Sequence, residues 1–122
     1  MTDRSKMGVV VLLGAVMVGW AQVARADHFS GSCGSELNAV EAAIESGVYL
    51  GNKATTEESN LLAKLEATDA KILLGKFSDA VDKLQDISDR ATALADAPKP
   101  KLEDATGING AVGDAIACVG AL

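Results

Sequence analysis

Aromatic residues are nearly missing from this chain, which has one Trp, one Tyr and two Phe in 122 residues. Stacking platforms for bases and the hot spots of most interfaces are built from such rings. Their scarcity argues against a base- or sugar-stacking site and leaves Leu, Ile, Val and Ala to form the core. Histidine is reduced to His28 alone, so neither a Ser-His-Asp triad nor a three-histidine zinc site can be assembled. No glycine-rich phosphate loop follows a strand, because the glycines near Gly107 lie in a helical pattern. No catalytic, cofactor-binding or metal-ligating residues are therefore assigned, and no cofactor is expected.

What is present begins with an export signal over residues 1–26. Arg4 and Lys6 give a positive start, residues 8–18 are uninterruptedly apolar, and Ala24-Arg25-Ala26 supplies the small residues a signal peptidase reads. The alternative is a membrane anchor, but the apolar stretch is shorter than the roughly 20 residues a span needs and Arg25 follows at once. A lipoprotein reading fails because Cys33 follows Ser30-Gly31-Ser32 and lies well past the apolar run. Cleavage after Ala26 is expected to deliver a mature chain beginning at Asp27, in the periplasm or the medium. Trp20 leaves with the signal.

From Asp27 onward the chain carries eight basic and sixteen acidic residues. That surface repels nucleic acid and anionic headgroups, so neither nucleic acid nor a membrane is expected as a partner. Cys33 and Cys118 are far apart in sequence and have no histidine cluster near them. In an oxidising compartment the simplest reading is one structural disulfide.

Helical periodicity divides the rest into four segments. The first starts after Ser35 and carries Leu37, Val40, Ile44 and Val48 inward, ending at a Gly51-Asn52 turn. The second opens with a capping box from Thr55 to Glu58, places Leu61, Leu62, Leu65, Ile72 and Leu73 in one stripe, and closes at Gly75. The third covers residues 78–97. Ser78 is its N-cap, Val81, Leu84, Ile87, Ser88, Ala91, Leu94 and Ala95 lie on one face, and Pro98 and Pro100 stop it. The fourth keeps Ala105, Ile108, Val112, Ala115, Ile116 and Val119 at helical spacing. Its Gly107, Gly110 and Gly113 either let two backbones approach closely or let the helix fray.

Short links favour antiparallel neighbours. The expected fold is all-α: an N-terminal segment at 27–34, then an up-down-up-down bundle of four helices over 35–122. This order brings Cys33 and Cys118 to one end, where a single disulfide closes the bundle.

Leu61-Leu62-x-x-Leu65, followed by Leu74-Gly75-Lys76-Phe77-x-x-Ala80-x-x-Lys83-Leu84-x-x-Ile87 and a Pro-bounded link into a last helix, resembles the FIMAH domain. The resemblance covers residues 61–119. It implies a small all-helical module of exported bacterial proteins with an accessory or interaction role, and brings no catalytic residues with it. The glycine-rich last helix and the cysteine pair depart from that pattern.

Three groups invite a chemical reading. His28, second in the mature chain, offers weak copper or nickel binding with the terminal amine; a mobile polar terminus is the simpler account. Asp79, Asp82, Asp86 and Asp89 line one face of the third helix. A straight helix cannot supply the six to eight oxygens that calcium takes. Lys83 and Arg90 stand four residues from Asp79 and Asp86 and are expected to neutralise part of the stripe, leaving a solvated face or an acidic docking face for a basic partner. Glu57 and Glu58 are explained by capping and the helix dipole rather than by acid–base chemistry. The function expected is a non-enzymatic exported module that binds a protein partner, with a self-associating structural subunit as the alternative.

Overall fold

The computed structural model describes residues 28–122, so the export signal and its cleavage site lie outside the described residues. Four helices follow in order: α1 (Gly34–Glu45), α2 (Ala54–Leu73), α3 (Phe77–Asp96) and α4 (Thr106–Gly120). They pack in a ring, α1 on α2, α2 on α3, α3 on α4 and α4 back on α1, with the α1–α2 seam the least extensive of the four. The all-α bundle expected from periodicity is the fold observed.

Each helix turns its apolar stripe to one shared core. Leu37, Val40 and Ile44 enter from α1, Leu61 and Leu65 from α2, Leu84 and Ile87 from α3, and Ile108, Val112 and Val119 from α4. Two expected core residues lie outside it. α1 stops at Glu45, so Val48 falls in the following turn and is exposed. Leu73 stands one residue beyond Ile72, about 100° further round the helix, and points outward.

Helix starts are also simpler than the capping residues suggest. α2 begins at Ala54 with Lys53 at its N-cap, and α3 at Phe77 with Lys76 at its N-cap; neither has a side-chain cap. Thr55 and Ser78 are therefore already inside the first turns. The reason is clearest before α3. Gly75, at φ +73°, closes α2 with paired bonds, its own N–H donating to Ile72 O and that of Lys76 to Lys71 O. This is the Schellman arrangement, which returns the chain into α3 within three residues. α3 ends at Asp96 because Ala97, preceding Pro98, is extended.

The two ends of the ring are closed differently. Cys33 and Cys118 form the expected disulfide, with Cα atoms 6.0 Å apart. At the opposite end an antiparallel bridge pairs Tyr49 with Leu102, joining the α1–α2 loop to the α3–α4 loop. Leu50 N–H donates to Lys101 O and Glu103 N–H to Val48 O, both at 2.9 Å. Lys99 and Lys101, set between and after the two prolines, are exposed, while Leu102 beside them is fully buried and contributes to the core. The Tyr49 hydroxyl donates to Ile44 O at 2.7 Å, and burial pushes its pKa up to about 12.

The glycines of α4 neither fray it nor make a close approach: α4 is continuous, and a Cβ at Gly107, Gly110 or Gly113 would meet open space. They lower helix propensity without a packing return inside this molecule. Gly110→Ala and Gly113→Ala together should therefore stabilise the protein by about 2 kcal/mol. Thermal unfolding would register this as a rise of roughly 10 °C.

Candidate functional site

α3 carries Asp79, Asp82, Asp86 and Asp89 on its outward face because Ala80, Leu84, Ile87, Ala91 and Leu94 occupy the inward one. All four aspartates are exposed. The expected internal neutralisation does not occur. Asp79 instead meets Lys71 of α2 at 3.9 Å, and Asp89 accepts a 3.4 Å bond from Gln85. Arg90 turns away from Asp86: its Nη2 donates to both carboxylate oxygens of Glu57 at 2.8 Å. Asp82 and Asp86 have no ion-pair partner among the described residues. The stripe is thus more negative than its spacing suggests.

Glu57 is the second departure. It keeps the expected place in the first turn of α2 but makes no cap; instead it is buried against α3 by the Arg90 contact. The signal was in the register. Glu57 precedes Leu61 by four residues, and Glu41 follows Leu37 by four, so both carboxylates lie on buried faces. Burial of a carboxylate demands a partner, and each has found one.

The partner of Glu41 is His28, whose Nδ1 lies 2.6 Å from Glu41 Oε2. On the other side of the ring, His28 Nε2 lies 3.0 Å from Glu66 Oε2 of α2. These contacts raise its pKa, chiefly through the bond to Glu41, with further help from the charges of Glu41, Glu66 and Asp69. The segment that reads as a mobile terminus is anchored here. Phe29 beside it is buried in the core, and Asn38 grips its backbone twice, accepting from Phe29 N–H and donating to Phe29 O, both at 2.9 Å.

No family model matches the chain, and no match was found among curated proteins or solved structures. The functional reading therefore rests on the residues themselves. Between the end of α1 and the start of α4 lies an open cleft of about 180 Å³, lined in part by Ser46, Gly47, Glu103, Asp104 and Gly107. That is below the ~300 Å³ at which small-molecule pockets begin. Cys33, Glu36 and Cys118 lie close enough to hold a metal ion, but both sulfurs are committed to the disulfide. Among the described residues no helix is long and apolar enough to cross a membrane.

The polar link between α3 and α4 was not foreseen either. Ser88, placed on the inward face by spacing, donates to Asn109 Oδ1 at 2.8 Å, and Asn109 Nδ2 donates to Thr92 at 3.0 Å. These bonds fix the register of α4 against α3 on the side away from α2. The acidic stripe therefore stands on a helix held from both flanks.

Proposed function

We propose that this chain is an exported, non-enzymatic helical module that binds a protein partner through the outward face of α3. The observation that carries the reading is the stripe of Asp79, Asp82, Asp86 and Asp89, exposed together on one packed helix and only partly neutralised. A rigid row of like charges attracts a complementary basic surface and sets its orientation. An adaptor or accessory role agrees with what the FIMAH resemblance implies. The Cys33–Cys118 disulfide supports export, since such bonds persist in oxidising compartments.

Replacing all four aspartates by Asn tests the docking face. The variant should keep its melting behaviour within about 0.5 kcal/mol per site, as exposed substitutions usually do. In parallel affinity captures from extracytoplasmic extract, the partner held by the wild type at low salt should be lost by the variant. Equal retention by both proteins would remove the stripe from the reading. The captured native protein, sequenced from its amino terminus, should begin at Asp27.

A second reading is self-association into an extracytoplasmic assembly. It draws on Leu73 and Leu74, which are 71% and 67% exposed at the α2–α3 turn. Light scattering separates the two readings, because self-association predicts a mass that grows with concentration and partner binding alone does not.

A further inference from the structure

His28 stands where the N-terminal segment, α1 and α2 meet. A neutral imidazole has one N–H and one lone pair, whereas an ionised carboxylate only accepts. Here carboxylates address both ring nitrogens, Glu41 at 2.6 Å and Glu66 at 3.0 Å. Only the imidazolium is held by both, through the hydrogen bond to Glu41 and the ion pair with Glu66. In the neutral ring one lone pair would face a carboxylate oxygen at hydrogen-bond distance, and attraction would become repulsion.

The ring is coupled to the core as well as to the two helices. It stacks on Phe29 with centroids 4.3 Å apart and planes 24° from parallel, and Phe29 is buried. The seam it crosses, α1 against α2, is the least extensive in the ring. A polar tie therefore counts for more there than at any other helix pair. Among the described residues, the charged groups acting on the imidazole are Glu41 from α1 and Glu66 and Asp69 from α2, all acidic.

We propose that His28 is a pH-operated staple: protonated, it ties α1 to α2 and holds the N-terminal segment against the bundle; deprotonated, it releases a carboxylate and loosens that seam. The direction follows from the contacts. The three carboxylates hold the folded-state pKa above the ordinary 6.5. The staple's contribution is therefore complete below about pH 6.5 and is lost as pH rises through the folded value. The core beneath it does not titrate, so the change is confined to the α1–α2 side and the segment leading into α1.

Nuclear magnetic resonance on the purified wild-type protein reads this directly. The His28 ring should titrate with a midpoint above 6.5. Across that midpoint, protection of the Phe29 amide, corrected for the intrinsic pH dependence of exchange, should fall several-fold. Amides in the middle of α3 should hold their protection. Glu66→Gln, at an exposed position, should lower the midpoint, and His28→Gln should make Phe29 protection independent of pH between 5 and 9. A midpoint at or below 6.5, or Phe29 protection unchanged through the titration, overturns the proposal. The wild-type titration alone decides it if either variant folds poorly.

Discussion

Cys33→Ser should remove a large share of this protein's stability. The bond closes a loop with a sequence separation of 85, and chain entropy assigns such a cross-link about 4–5 kcal/mol, an upper figure. A small domain has roughly 5–15 kcal/mol in all. The melting temperature should drop accordingly, and intact mass of the native protein should lie two hydrogens below the dithiol form. The loss should not be uniform. α4 carries the glycines and is the cross-linked end, so its amides should lose protection before those of α3. Cys118→Ser, at an ordinary helical position, should give the same order. Equal protection of the two helices in the variants would show that the disulfide does not pin α4.

Phe29→Ala should be comparably costly, at about 3–5 kcal/mol, because it empties a large buried site. Phe29 is 4% exposed and lies outside every helix. Its docking is built into the first turn of α1. A Cβ at Gly34 would stand 2.4 Å from Phe29 O, so that position accepts no larger residue while the segment is in place. Denaturant unfolding of Phe29→Ala should show the loss as a lower midpoint. A change below 1 kcal/mol would mean that the segment rests on the bundle without supporting it.

The helices were legible because their cores repeat at helical spacing. Leu61, Leu65 and Ile72, or Leu84, Ile87, Ala91 and Leu94, need only the period to be placed correctly. The disulfide was legible because an antiparallel ring of four returns its two ends to one place. What escaped was everything non-periodic. Phe29 and Leu102 are single apolar residues in loops, and no spacing marks them as buried. Helix starts were misread because Thr55 and Ser78 fit a capping signature, whereas the backbone enters each helix earlier, through Lys53 and Lys76.

The polar contacts illustrate the same limit. Arg90 has Asp86 four residues away, the pairing that sequence offers, yet it chooses Glu57 across the α2–α3 seam. A buried carboxylate competes better than an exposed one, because leaving it unpaired costs more. The burial of Glu57 and Glu41 was missed although their register carries it, and their partners come from other segments and are visible only in three dimensions. The acidic stripe was the reverse case. Its exposure followed from the helical period, and its residual charge depended on where Arg90 had gone.

The placement of the disulfide also has a mechanical meaning. Cys33 lies close to the first described residue and Cys118 close to the last, with their Cα atoms 6.0 Å apart. Tension applied between His28 and Leu122 would run along two short arms and then across the sulfur–sulfur bond. Nearly all of α1 to α4 lies inside that covalent loop and would carry none of the load. Pulled this way, the molecule would yield only the length of its arms, and their undocking would expose Phe29 while the helices stayed folded.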